Sequence, residues 1–157
     1  MALEIERKFV LKRLPDKLFD KMFFIEQFYY SVQERFERYR QIKEGKDIKF
    51  YKTIKTNISH GVFNEDETVI DTDEYQQHFN DIDKVTSFVE KVRYKYNIGD
   101  LVWEIDYYVN LHLIIAEIEL PDINHKFDIP DFIKNELIYE VTGIKEFSNY
   151  NLGLIQN

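Results

Sequence analysis

Leu3-Glu4-Ile5-Glu6-Arg7-Lys8-Phe9-Val10-Leu11 is the stretch whose reading decides the fold class. Successive side chains of a β-strand point to opposite faces. At that period Glu4, Glu6 and Lys8 share one face, and Leu3, Ile5 and Phe9 share the other. Working outward, residues 25–32, 35–42, 48–56, 62–71, 89–98, 101–109 and 111–120 are also rich in alternating β-branched and aromatic residues, which makes eight expected strands with 3–11. Turn signals separate several of them: Glu44-Gly45-Lys46, Ser59-His60-Gly61 and Ile98-Gly99-Asp100. Such short links favour antiparallel neighbours over crossover units. Helical spacing is read in 15–24 (Leu18, Met22, Phe23), in 73–88 (Tyr75, Phe79, Ile82, Val85) and in 130–137 (Phe132, Ile133, Leu137), while the tail 142–154 is ambiguous. Mostly strand with a few helices is an α+β chain built on a large antiparallel sheet or barrel.

Sorting the expected strands by parity shows where the charges fall. Arg38 and Arg40 share a face, as do Lys49, Thr53 and Lys55 on the next strand. Lys91, Arg93 and Lys95 align against Val92, Tyr94 and Tyr96. Glu65 aligns with Glu67, Glu104 with Asp106, and Glu117 with Glu119. An antiparallel sheet with one wet face is the common explanation for one such strand. Seven strands of eight with tightly spaced charge pairs call for more. Three carry cations almost alone, three carry anions, and the first carries both. If the sheet closes, the ionic residues line a tunnel and the apolar ones face outward, the inverse of a small barrel filled by side chains.

Opposed basic and acidic walls suit a polyanion bound beside a hard cation. Arg and Lys hold phosphate oxygens, Arg as a planar fork and Lys as a point charge. Clustered carboxylates tolerate a polyphosphate only across a bridging metal. Oxygen-only ligands select Mg²⁺ or Mn²⁺ over Zn²⁺.

The composition narrows the classes further. The chain has 157 residues, read as one domain over 1–157. It has no cysteine, which excludes disulfides, thiolate metal sites and a Cys nucleophile. A net charge of −8 argues against a nucleic-acid-coating surface without excluding a local basic pocket. No apolar run approaches the roughly 18 residues of a membrane span, and no signal-peptide core is read at the start, so the expectation is a cytoplasmic, globular protein. His60, His78, His112 and His125 are scattered without ligand spacing and are read as structural or surface residues. Gln27 and Tyr29 are read as facing the tunnel in a core or rim role, and Phe23, Phe24 and Phe28 as outer-face core.

In this order, the charged strands resemble the CYTH family, the triphosphate tunnel metalloenzymes. Glu4-Ile5-Glu6-Arg7-Lys8 is similar to its E-x-E-x-K strand. Arg38-Tyr39-Arg40, Thr53-Ile54-Lys55, Glu65-Asp66-Glu67, Lys91-Val92-Arg93, Trp103-Glu104-Ile105-Asp106 and Ala116-Glu117-Ile118-Glu119-Leu120 follow in the family's sequence of motifs. Glu140-Val141-Thr142-Gly143, with Asn149 and Leu152, is similar to its terminal segment, so the likeness spans residues 3–152. The resemblance implies an eight-stranded antiparallel tunnel with a charged interior that hydrolyses or cyclises triphosphates with Mg²⁺ or Mn²⁺. It implies that Lys8, Arg38, Arg40, Lys55, Lys91 and Arg93 cradle the triphosphate. It implies that Glu4, Glu6, Glu65, Glu67, Glu117 and Glu119 supply metal ligands and position water, with Glu104 and Asp106 as further acidic members. Lys8, Glu65 and Glu67 are then the catalytic candidates. Two departures are visible: Phe63 stands where the family often has an Arg, and Ile144-Lys145-Glu146 where it often has Asp-Pro-Arg.

Inorganic triphosphate is the first expected substrate, split to pyrophosphate and phosphate. A class IV-type adenylate cyclase and a thiamine or nucleoside triphosphatase are alternatives within the family. A polyphosphate- or nucleotide-binding module is the non-enzyme alternative, against which the carboxylate set argues. Outward-facing apolar strand residues need cover that few helices supply, so the reading includes a homodimer and no nucleic-acid or membrane partner.

Overall fold

The structure, a computed structural model, describes residues 2–32 and 35–155. Nine strands form one antiparallel sheet: β1 (Ala2–Leu11), β2 (Lys21–Val32), β3 (Arg35–Glu44), β4 (Asp47–Ser59), β5 (Val62–Ile70), β6 (Val85–Ile98), β7 (Leu101–Tyr108), β8 (Leu113–Glu119) and β9 (Leu137–Glu140). The order β5-β4-β3-β2-β6-β7-β8-β1 closes on itself because β1 also pairs with β5. The first eight strands are therefore a closed barrel, and β9 is an extra strand on β1. One edge of β1 carries β8 over Glu6–Leu11, and the other carries β5 over Ala2–Ile5 and then β9 over Phe9–Leu11. Closure removes the exposed edges that an open sheet of this size would present.

The register sets cations opposite anions on neighbouring strands. Lys8 faces Glu117, Lys55 faces Glu65, Arg93 faces Asp106 and Lys95 faces Glu104. The opposite faces are apolar and pack outside the barrel. Phe9, Leu11, Trp103, Ile105, Ala116 and Ile118 form one cluster, covered by Phe127, Ile129, Phe132 and Ile133 from the segment around α2 (Asp131–Lys134). Phe28, Tyr30 and Tyr39 form a second with Tyr75 and Phe79 of α1 (Thr72–Asn80), whose first turn is capped by the Asp71 carboxylate. Each fully buried aromatic or aliphatic side chain contributes roughly 1.5–3 kcal/mol. So the tunnel is a by-product of an outer core: the hydrophobic faces are satisfied outside, which frees the inner face to be ionic.

One end of the barrel departs from that rule. Val89, Tyr108 and Ile115 share the inward parity of Lys91, Asp106 and Glu117, yet they form a buried cluster with Phe147 and Leu152. Phe147 and Leu152 come from a 3-10 turn (Lys145–Phe147) and α3 (Asn149–Leu152). The segment is tied down by Ser87 Oγ donating to the Tyr150 carbonyl (2.7 Å) and by the Phe88 amide donating to the Gly153 carbonyl (2.9 Å). A Cβ on Gly153 would meet the Phe88 carbonyl oxygen at 2.4 Å, so only glycine allows this approach. The tail thus fills one end of the barrel and makes the tunnel blind there.

Several expected boundaries move. No helix forms over 15–24: Leu18 is 85% exposed, and Met22 and Phe23 sit on opposite faces of β2, paired with Tyr94 and Arg93. Phe23 therefore points inward, with Lys95 Nζ 5.1 Å from its ring centre, while Phe28 is outer core as read and Phe24 is outward but half exposed. The helix expected over 73–88 ends at Asn80, and Val85 to Phe88 extend β6 instead. Pairing with Tyr30, Tyr29 and Phe28 of β2 outweighs their helical spacing. In 130–137 only one turn is helical, and Leu137 opens β9, a strand too short to announce itself.

Candidate functional site

A cavity inside the barrel is lined by Glu4, Glu6, Arg38, Arg40, Lys55, Glu65, Arg93, Glu104, Glu117, Glu119 and Asn149. Ten of the fourteen residues expected from the sequence are in this lining; Lys8, Glu67, Lys91 and Asp106 are not. They are not far from it. Lys8 Nζ lies 3.3 Å from Glu117 and 3.7 Å from Glu6. Glu67 accepts from Thr53 Oγ1 at 3.2 Å and lies 3.5 Å from Arg38. Lys91 and Asp106 are 2.8 Å apart and buried below the surface of the cavity.

The cationic wall is held in place by neutral and acidic neighbours. Arg38 Nη2 donates to Thr53 (3.1 Å), and Arg40 Nε donates to the Gln27 side-chain oxygen (2.8 Å). Gln27 in turn donates to the Tyr29 hydroxyl (2.8 Å), which confirms the inward direction of both residues and gives Gln27 a positioning task. Arg93 forks onto both oxygens of Asp106, each at 2.8 Å, and reaches Glu104 at 3.3 Å. Both Asp106 oxygens are thereby used, since Lys91 also holds Oδ2. Burial would raise the Asp106 carboxyl, but Arg93 and Lys91 outweigh it and hold it well below the usual carboxylate range. Burial pushes the Arg40 guanidinium down to about 10, helped by Arg38 and Arg93. Three cations crowded this way prefer an anion between them.

The acidic wall shows the complementary strain. Burial and the Glu117 charge push Glu6 up to about 7. Burial and the adjoining Glu4 carboxyl push Glu65 up to about 7. Glu4 itself is held low: burial opposes this, but Lys55 at 2.8 Å and the hydrogen bond with Glu65 prevail. Burial, Glu4 and Glu104 raise Glu119 as well. Carboxylates set side by side in this way share protons unless a cation joins them.

Buried atoms without partners test whether a metal fits. Among the described residues, Glu4 Oε1, Glu65 Oε2 and Arg38 Nε are buried without a hydrogen-bond partner, two acceptors and a donor on residues that line one cavity; Glu4 Oε1 has only its ion pair with Lys55. No three His, Asp or Glu among the described residues are gathered to hold a cation alone. Mg²⁺ is usually bound by one or two carboxylates, with water and substrate phosphates completing the octahedron. Paired carboxylates opposite phosphate-binding arginines fit that mode of binding and not a closed protein cage.

The two departures from the family pattern have visible consequences. Phe63 faces the Lys55 ammonium, 4.3 Å from its ring centre, so an aromatic face stands where an Arg would add charge. Ile144 to Glu146 lead into the 3-10 turn and the tail that fills the barrel. The histidines are outside the cavity: His78 stacks on Tyr39 at 4.3 Å, and His112 bonds Tyr107 at 2.9 Å. Asn149 is the cavity residue to which sequence reading assigned no task; it was noted as part of the terminal motif, and its side-chain direction is not encoded by strand parity.

No family model matches the sequence. An inorganic triphosphatase of Acetivibrio thermocellus is 32% identical over 158 residues, covering 97% of this chain and 94% of that protein. The crystal structure of the inorganic triphosphatase NE1496 superposes with a TM-score of 0.64 at 24% identity, over 99% of this chain and 97% of that one. A Hippeastrum protein described as a putative adenylyl cyclase with a dominant triphosphatase activity superposes at 0.59 and 16% identity, over 76% of this chain and 80% of that one. The structural likenesses show the fold, and a relative of this identity over nearly the whole length shows the family: the chain belongs to the CYTH family of triphosphate tunnel metalloenzymes.

Proposed function

We propose that the chain, a single CYTH domain over 1–157, hydrolyses inorganic triphosphate to pyrophosphate and phosphate with Mg²⁺ or Mn²⁺. The observation that carries this reading is the set of buried atoms without a hydrogen-bond partner, Glu4 Oε1, Glu65 Oε2 and Arg38 Nε, on residues lining a cavity with one cationic and one acidic wall. The Acetivibrio relative named an inorganic triphosphatase supports it.

In this proposal Arg38, Arg40, Lys55 and Arg93 neutralise the phosphate oxygens, with Lys8 and Lys91 adding positive charge from beneath the lining. Glu4, Glu6, Glu65, Glu117 and Glu119 hold the divalent cation, which supplies Lewis-acid polarisation of the phosphate when bound. Glu104 and Asp106 orient Arg93. A water positioned by Glu65 or Glu67 attacks the terminal phosphorus in line; the new P–O bond forms as the bond to the bridging oxygen breaks, and pyrophosphate leaves. Phosphoryl transfer asks for positioning and charge neutralisation more than covalent help, which is what such walls supply. The reading also includes a homodimer, since Phe24 leaves the outer strand face half exposed. No helix of the described residues is long and apolar enough to cross a membrane.

The test is incubation with tripolyphosphate, ATP or thiamine triphosphate plus Mg²⁺ or Mn²⁺, following phosphate, pyrophosphate and cyclic AMP. Fastest turnover of tripolyphosphate supports the reading. Cyclic AMP with pyrophosphate from ATP replaces it with a cyclase, and metal-dependent binding without turnover replaces it with a binding module.

A further inference from the structure

Asn149 stands at the blind end of the tunnel and lines the cavity beside Arg38, Arg40 and Arg93. Its Oδ1 accepts from the Tyr108 hydroxyl at 2.6 Å and from Lys91 Nζ at 3.0 Å. Both donors are almost fully buried, Tyr108 at 2% and Lys91 at 1% exposure. An ammonium only donates, so the amide atom facing it is the oxygen and the amide cannot be flipped. The backbone under Asn149 is fixed too: the tail is tied to β6 by Ser87 and Phe88, and the Tyr150 ring is wedged against Phe36 at 4.3 Å. With Oδ1 committed to these two donors, no hydrogen bond from Nδ2 is seen among the described residues, and Asn149 itself lines the cavity.

We propose that Asn149 is a substrate-contacting residue: its Nδ2 donates to an oxygen of the terminal phosphoryl group that lies innermost in the tunnel. This rests on the reading of the cavity as a triphosphate site. A neutral donor has a use here that another cation lacks. Lys8, Lys91 and Arg93 already fill this end with positive charge, and a fixed amide reads position without adding to their repulsion. Because the tail blocks this end, a phosphate chain enters from the mouth, where Phe23 and Lys95 stand, and it is bound by its terminus. Anything attached to the other terminus, a further phosphate or an organic group, extends outward.

The test compares wild type with Asn149→Asp and Asn149→Ala. Asn149→Asp keeps an oxygen for Tyr108 and Lys91 while replacing the inward donor by an acceptor that repels phosphate. Its KM for tripolyphosphate rises at least tenfold, with a thermal midpoint no lower than that of wild type. Asn149→Ala shows the intermediate loss expected for a missing hydrogen bond to a charged group, roughly tenfold in kcat/KM. Asn149→Asp with KM and kcat within twofold of wild type overturns the proposal. So does a loss in both variants that tracks a lowered midpoint, because the residue is then structural. A wild type that turns over none of the triphosphates overturns the triphosphatase reading itself, a failure seen before any variant is made.

Discussion

Replacing Asp106 by Asn separates two tasks for that residue, metal ligand or counter-ion. Asp106 is 1% exposed, and its two oxygens take three contacts of 2.8 Å from Arg93 and Lys91. Removing the charge leaves both buried cations without their contact carboxylate, with Glu104 at 3.3 Å from Arg93 and the more distant charge of Glu117 left to offset them. Breaking one partner out of a buried pair costs about 3–5 kcal/mol. For a chain of this length each kcal/mol moves the thermal midpoint by about 2–4 °C, so a fall of about 6–20 °C follows. Urea unfolding at unchanged m reads the same loss in free energy. The folded carboxyl is depressed, so its contribution is complete above the unfolded pKa of about 3.9 and disappears only as pH falls below that. Asp106 itself therefore adds no pH dependence between pH 5 and 8, but burial pushes the Lys91 ammonium down to about 7, so the Lys91 share of the deficit shrinks as pH rises through 7. Tripolyphosphate, bringing anionic oxygens to Arg93, recovers part of the stability, and so does the double change Lys91→Met with Asp106→Leu. A variant within 1 kcal/mol of wild type whose half-saturating Mg²⁺ concentration rises tenfold refutes this reasoning and makes Asp106 a metal ligand.

Two other outcomes are expected. Lys8→Ala, which removes the cation between Glu6 and Glu117, lowers turnover of tripolyphosphate by roughly 10²–10³, the size of a lost electrostatic donor; full activity in pure variant protein removes Lys8 from the machinery. Glu6 and Glu65 are both raised to about 7, so in the metal-free protein their contribution to stability is complete below the unfolded range near 4.3 and is lost as pH rises through about 7. Cation binding needs them ionised, so Mn²⁺ binding at pH 7 releases protons, seen as calorimetric heats that differ between buffers of different ionisation enthalpy, and Glu6→Gln reduces that release; identical heats in all buffers contradict it.

Parity carried most of the site into view from the sequence. The alternation Glu4-Ile5-Glu6-Arg7-Lys8 needs only a period of two to place its charges together, and the same holds for Arg38 with Arg40 and for Glu117 with Glu119. Parity says which face a residue takes, but not how far along the barrel axis it sits. That is why Lys91 and Asp106 were expected in the lining, yet they are buried against each other with Asn149. Asn149 itself lies on a four-residue helix outside the strand pattern, and its orientation depends on Lys91 and Tyr108 arriving from other strands. The lost helix at 15–24 has a similar cause: the Met22, Phe23 and Phe24 run suits either period, and pairing with β6 decides it. The blind end was illegible because Val89, Tyr108 and Ile115 read simply as apolar strand residues.

Closure through β1 bears on how the molecule is made. β1 is synthesised before the other barrel strands, but its partners are residues 62–65, 114–119 and 137–140. At 5–20 residues per second, roughly 5–20 s pass between synthesis of Lys8 and of its partner Glu117. During that interval β2 to β5 can pair as a meander and β6 with β7 as a hairpin that then docks on β2, while β1 carries the unmatched acids and Lys8 in water. A strand this charged is well hydrated and poorly suited to pairing with other unfinished chains. The ionic face that serves the cavity in the finished barrel therefore also keeps the first-made strand soluble until the ring can shut.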